Sequence, residues 1–238
     1  MSKLRILQLY PRDMNIYGDA GNTLTLVRRA NWHGLEVELL EYNPADKFPE
    51  DVHLLVGGGG QDSGQTIIQD DLAIITPKLK ALAEDDTPML MICGLYQLFG
   101  HFFKTSAGDI IEGAGILDIE THAGKERLIG NIVTENSRFG EIIGYENHSG
   151  LTYLGPNATP LGKVIKGAGN NGQDSSEGAI YRQVIGSYLH GSLLPKNPAL
   201  ADYLIEQAAM RAFGEFSPTV IDDQFASKAR TVAKNRPR

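Results

Sequence analysis

The sequence predicts a single α/β domain: a mostly parallel central sheet with helices on both faces, and antiparallel additions in the second half. Two observations carry this reading. Up to about residue 104, short apolar runs rich in Leu, Ile and Val alternate with helical patterns, the signature of strand–helix–strand units. From Thr105 onward, shorter strands are separated by Gly, Asn and Pro turns, the signature of antiparallel strands joined to the same sheet.

In chain order, "LRILQLY" reads as a strand, and "GNTLTLVRRANWHG" as a helix whose stripe of Leu24, Leu26, Val27 and Ala30 faces the core. "LEVELLEY" and "VHLLVGGGG" are the next strands. "DDLAIITPKLKALAEDD" is helical, with Pro77 expected to kink or divide it. "PMLMIC" and "GLYQLFGHFF" repeat the step from strand to helix. The later strands are "RLIGNIV", "EIIGYENHSG", "LGKVIKG" and "GAIYRQVIGSYLHG". A last helix is capped by Asn197, opens with Pro198 and stops at Gly214. No repeat or low-complexity linker divides the 238 residues, so one domain is the better count. The basic end, "SKARTVAKNRPR", reads as a solvated tail from about residue 226, with a docking segment for an acidic partner as the alternative.

Charge and composition exclude several classes. A net charge of −7 argues against nucleic-acid binding, which needs clustered Lys and Arg. One cysteine forms no internal disulfide, and no paired Cys/His spacing suggests a metal site, so a cytoplasmic protein is expected. The apolar run at the N-terminus ends at Pro11, Arg12 and Asp13, too early for a signal peptide, and no run is long enough to span a bilayer.

That cysteine, Cys93, stands where an apolar strand meets Gly94 and a helical stretch. A nucleophile elbow has this form: a sharp turn exposes the side chain, and the next backbone amides face it. On residue type alone a buried core cysteine is the stronger reading, because free Cys is among the most buried residues. Two features favour the nucleophile. The glycines of "LLVGGGGQD" bring backbone amides to a strand end without the Lys and Ser/Thr of a phosphate loop, and "VIGSYLHGS" ends a strand at His190, a candidate base for a thiol. His148, in "YENHSG", competes with His190 for that role.

Together, "ICGLYQLFG" and "GSYLHG" resemble the class I glutamine amidotransferases, in the branch of the cobyric acid synthase glutaminase domains. "YPRDMNIYGDAGN", "GGGGQD", "ERLIGNIV" and "GYENHSG" extend the likeness over most of the chain, toward glutaminase subunits that serve lipid II amidation. The resemblance implies a flavodoxin-like glutaminase fold, with Cys93 as nucleophile and His190 as base. Amides of Gly58, Gly59, Gly60 and Gly94 would form the oxyanion hole. Gln97, Asn147 and Ser149 would hold L-glutamine, and Arg127 its α-carboxylate; a surface ion pair is the other reading of Arg127.

The pattern departs from the family in places. Met91 and Leu95 stand where many members have Gly, and Ser192 stands where a triad Glu is usual. The orienting carboxylate is then absent, supplied by a partner, or Asp19, which reads first as a helix cap. No cofactor is expected in this chain. The resemblance implies a heterodimer with a MurT-like Mur ligase that would carry ATP and Mg²⁺, and a lipid II acceptor held at the membrane. The alternatives are a cobyrinate or cobyrate amidation subunit, another cysteine hydrolase, and a non-catalytic binding subunit that keeps the elbow as structure.

Overall fold

The computed structural model describes residues 3–236. Its first sheet has six strands: β1 (Leu4–Leu9), β2 (Val37–Tyr42), β3 (Leu54–Gly57), β4 (Met89–Ile92), β11 (Ala179–Tyr181) and β12 (Val184–Ser187). They lie in the order β11-β12-β4-β3-β1-β2, all parallel except the edge strand β11. β3, β4 and β12 are buried along their whole length, which explains why β3 and β4 are apolar throughout and β12 is apolar up to Ser187.

The chain moves from β1 to β2 in one direction across the sheet, and from β3 to β4 in the other. Right-handed crossovers therefore place α1 (Ala20–Trp32) and α2 (Asp62–Glu84) on opposite faces. α4 (Pro198–Phe213) packs beside α1, and buried Arg29 of α1 ties it down with paired bonds of 2.6 and 2.7 Å to Asp202. Within α1, Leu26 and Ala30 are fully buried as predicted, but Leu24 is exposed. α2 runs unbroken through Pro77 rather than dividing there. Asn197 precedes α4 as expected, yet its side chain makes no cap; it binds the backbone of Ile143 and Leu193 instead.

A second sheet accounts for most of the later strands, against the expectation that they extend the first. Its path is β10 (Ser176–Glu177), β9 (Gly162–Lys166), β7 (Ile119–Asn136), β5 (Phe102–Lys104) and β6 (Ile110–Glu112), and β8 (Gly140–Leu154) pairs with β7. The reason is the β7–β8 hairpin: its long strands satisfy each other's backbone, so they need no edge of the first sheet. "GLYQLFGHFF" divides likewise into a five-residue helix, α3 (Gly94–Leu98), and strand β5.

Where a solvated basic tail was expected, α5 (Gln224–Asn235) forms. Arg230 donates to the carbonyl of Lys196 and to Asn197 Oδ1, and Lys234 pairs with Glu141 at 2.6 Å. Pro237 and Arg238 lie outside the described residues. Among those residues, no helix is long and apolar enough to cross a membrane.

Candidate active site

Strand register sets the site. Leu9 pairs with Gly57, Gly57 with Met91, and Ser187 with Ile92, so the carboxyl ends of β1, β3, β4 and β12 stop level. Four groups leave the sheet at these ends and converge: the Met14–Asp19 segment, the glycine loop, Cys93 and His190. This is where open parallel sheets bind ligands. The two sheets also meet at this edge, because His190 donates its backbone amide to the Tyr145 carbonyl at 2.7 Å.

Cys93 has φ 50° and ψ −102°, a conformation rare for residues with a side chain. Its amide donates to Ser187 O at 2.8 Å and its carbonyl accepts from Gln97 N at 2.9 Å, so the turn is fixed from both sides. Cys93 is 7% exposed, on the wall of a cavity of about 350 Å³. Its side chain is thus both nearly buried and at a cavity, which removes the conflict between the two readings of its sequence position.

His190 is buried, and its Nδ1 lies 3.4 Å from Asp19 Oδ1. Nε2 is left for the thiol. Burial opposes charge on the ring, but the negative charges of Cys93 and Asp19 outweigh it and hold the His190 pKa well above the ordinary histidine value. His148 has the opposite environment. Burial is the main cause that lowers its pKa to about 4, its Nδ1 donates to Gly150 O at 2.7 Å, and its ring stacks on Tyr188 at 3.6 Å. It remains neutral and lines the cavity. The electrostatics therefore distinguish the two histidines: the one that holds a proton faces Cys93.

Asp19 corrects the helix-cap reading. It immediately precedes α1 but makes no cap bond; its Oδ2 accepts the Gly59 amide at 2.7 Å while Oδ1 faces His190. Ser192, at the position where a triad Glu is usual, donates to Gly18 O at 2.8 Å and faces no histidine nitrogen. A carboxylate of this chain thus lies against His190 Nδ1.

The same contact removes Gly59 from the expected oxyanion hole, since its amide is committed to Asp19 and its carbonyl accepts from Ile16 N at 3.0 Å. Gly59 is needed for space. A Cβ there would lie 3.0 Å from both Cys93 Cβ and His190 Cε1. Gly58 likewise packs against the Met14 carbonyl and Asp19. Gly58, Gly60 and Gly94 remain candidates: a Cβ on Gly94 would lie 2.8 Å from Gly60 N, so those two backbones meet beside the thiol, and the amides of Gly60 and Gly94 donate to no described group.

Arg127 lies in a bulge of the β7–β8 hairpin, where the register jumps between Ala123–Gly150 and Leu128–His148. Bulges re-aim side chains, and this one turns Arg127 onto Asn147, with Nε to Oδ1 at 2.6 Å. Among the described residues Arg127 forms no ion pair, against the surface-pair reading. Arg127, Asn147, Ser149 and Gln97 all line the cavity with Cys93. Gln97 is itself held, accepting from Gln65 at 2.6 Å and donating to Tyr188 at 3.0 Å. Sequence reasoning missed Tyr17, Gln65 and Tyr188; of these, only Tyr17, in the turn-like "NIYGD", carried a local signal. Among the described residues no acidic, His or Cys cluster has the arrangement of a metal site. A larger groove of about 450 Å³ beside Phe139 and Tyr203 shares no lining residue with the cavity and contains neither Cys nor His.

Residues 5–198 match the model of the CobB/CobQ-like glutamine amidotransferase domain. The chain belongs to that family. It is 38% identical over 237 residues to the Staphylococcus aureus "lipid II isoglutaminyl synthase (glutamine-hydrolyzing) subunit GatD", covering 99% of this chain and 97% of that one. It is 38% identical over 216 residues to the Streptococcus pneumoniae protein of the same name, covering 90% and 83%. Solved structures agree on the fold: a glutamine amidotransferase superposes with TM-score 0.60 at 16% identity, covering 85% of this chain and 98% of the other. One from Thermotoga maritima gives 0.57 at 17%, covering 98% and 94%.

Family membership makes one buried carboxylate notable because it serves no step. Glu177 accepts from Ser187 Oγ at 3.0 Å and Tyr188 N at 2.8 Å, and its other oxygen has no described partner. Burial is the main cause that raises its pKa to about 7, with the nearby Glu146 charge adding to it. A raised carboxylate pKa means that the fold binds the proton more tightly than the unfolded chain does. Its stabilisation is therefore complete below the ordinary Glu value and is lost as pH rises toward 7. Glu177→Gln is expected to flatten that decline, so that its Tm at pH 8 equals or exceeds the wild-type value. Melting curves from pH 5 to 8 check this; a parallel decline in both proteins would contradict it.

Proposed function

We propose that this chain is the glutamine-hydrolysing subunit of a lipid II isoglutaminyl synthase, acting through a Cys93 thioester. The observation that carries the reading is Cys93 at a strained strand end, paired with a proton-holding His190 on a cavity whose rim carries Arg127. Likeness over nearly the full length to GatD supports the choice of acceptor.

In this mechanism the thiol's proton already resides on His190 in the resting pair, which leaves Cys93 as the thiolate, and Asp19 orients and stabilises the imidazolium. The thiolate attacks the side-chain carboxamide of L-glutamine, and the Gly60 and Gly94 amides stabilise the tetrahedral oxyanion. His190 returns the proton to the departing nitrogen, ammonia leaves, and a γ-glutamyl thioester remains. Water, activated by the same imidazole, releases glutamate. Arg127 and Asn147 hold the amino-acid end, with Ser149 and Gln97 on the walls.

Ammonia released into water would be lost, so a second protein would dock over the site: a MurT-like ligase that binds ATP and Mg²⁺ and amidates the D-glutamate of the stem peptide. This chain needs no cofactor, and the pair would work in the cytoplasm on a membrane-held acceptor. The test is reconstitution with the ligase encoded in the same cell, using glutamine labelled with ¹⁵N in its side-chain amide. The label is expected in the stem peptide only when both chains are present, while the ligase alone uses concentrated ammonium. Glutamine hydrolysis with no label in lipid II would contradict the acceptor, and label in a cobyrinate-type acid would replace it.

A further inference from the structure

Tyr17 is absorbed by none of the roles above, although it touches both His190 and Arg127 and lines the Cys93 cavity. It has φ 58° and ψ 20°, left-handed for a residue with a bulky side chain, between Ile16, whose amide is bonded to Gly59 O, and Gly18 at φ 76°. Such strain persists where the surroundings over-determine it, and ligand clamps are among its usual places. The strained turn brings the Tyr17 ring edge-on to His190, with centroids 5.0 Å apart and an interplanar angle of 77°. The ring is 44% exposed and forms one wall of the Cys93 cavity.

Its hydroxyl oxygen accepts from Arg127 Nη2 at 3.4 Å, a long bond, and among the described residues no group accepts the hydroxyl proton. Among the described residues Arg127 Nη2 makes only one other hydrogen bond, also at 3.4 Å, to Asn147 O, while Nε is held firmly by Asn147 Oδ1. The guanidinium is thus anchored at one nitrogen and loosely engaged at its outer edge, beside an unused phenolic donor. An anion placed there would receive two donors from Arg127 and a third from Tyr17, a stronger set than either side chain offers alone.

We propose that Tyr17 is a substrate-binding residue: its hydroxyl joins Arg127 in clamping the α-carboxylate of the amino acid, while its ring closes the cavity over His190. The proposal rests on the glutaminase reading and adds a donor to it. It predicts that the site selects for a free α-carboxylate through Tyr17, so the effect of losing the hydroxyl depends on the ligand.

The test compares Cys93 alkylation in the full-length chain by two probes. 6-Diazo-5-oxo-L-norleucine carries the amino-acid end; iodoacetamide lacks it. Tyr17→Phe keeps the ring against His190 and removes only the donor. It is expected to weaken the half-saturating concentration of the diazo probe by about 10-fold or more, the scale of one hydrogen bond to a charged group. The maximal labelling rate and the iodoacetamide rate should stay within about twofold of wild type. Equal half-saturation in both proteins overturns the clamp and leaves Tyr17 a cover alone. Equal slowing with both probes also overturns it, by showing that Tyr17 acts on the thiol. Failure of the glutaminase reading looks different: the wild type would then react with the diazo probe no more selectively than with iodoacetamide.

Discussion

Cys93→Ala is expected to abolish glutamine hydrolysis, by about 10⁴- to 10⁶-fold in turnover, while leaving Tm within a few degrees of wild type. The substitution removes the only group in the cavity that can form the thioester, and removes little buried volume from a side chain at a cavity wall. The strained backbone stays, because Cys93 N and O are both held by backbone partners. His190→Ala should lose a comparable amount, and the double variant should be little worse than either, since nucleophile and base act as one unit. His148→Ala should leave turnover largely intact and raise KM, because that ring is neutral and packed on the cavity wall. Steady-state kinetics of the four proteins separate these outcomes. A dead His148 variant beside an active His190 variant would exchange the two roles.

The second large effect is expected at Asp19. Asp19→Ala should reduce kcat by about 10²- to 10⁴-fold, the range associated with a lost imidazole-orienting group. Two consequences combine: His190 loses the neighbour of its Nδ1, and the Gly59 amide loses its acceptor beside the thiol. Asp19→Asn separates charge from shape, since an amide oxygen can still accept from Gly59. Without the negative charge the imidazolium is less stable, so the His190 pKa falls. The alkaline limb of kcat/KM should therefore move to lower pH in Asp19→Asn, a change that a purely structural role would not produce. Near wild-type turnover by Asp19→Ala would restore the reading in which a partner supplies the carboxylate.

Much of the fold was legible because the parallel strands are short, rich in Leu, Ile, Val and Met, and in three cases succeeded by residues that leave the sheet: glycines after β3, Cys93 after β4 and His190 beyond β12. The second sheet was not, since nothing local to "RLIGNIV" or "EIIGYENHSG" says that these segments prefer each other to an existing edge. The same limit applies to the site. The thiol and the base could be read from strand–turn patterns around Cys93 and His190. Asp19 could not, because an aspartate before a helix has a common local role, and its partner His190 lies 171 residues away. The commitment of the Gly59 amide depends on that same distant contact. Arg127 owes its position to a bulge, which is a property of pairing with β8 and leaves no mark in "GKER".

On the proposed mechanism this chain breaks the glutamine amide by forming a γ-glutamyl bond to Cys93. The most direct measurement is the intact mass of the wild-type chain, acid-quenched during turnover with L-glutamine and then mapped by peptide. A mass increase of one γ-glutamyl group is expected on the peptide containing Cys93, absent from Cys93→Ala and formed alongside stoichiometric ammonia. Glutamate and ammonia released at equal rates by wild type and Cys93→Ala, with no adduct in either, would contradict it.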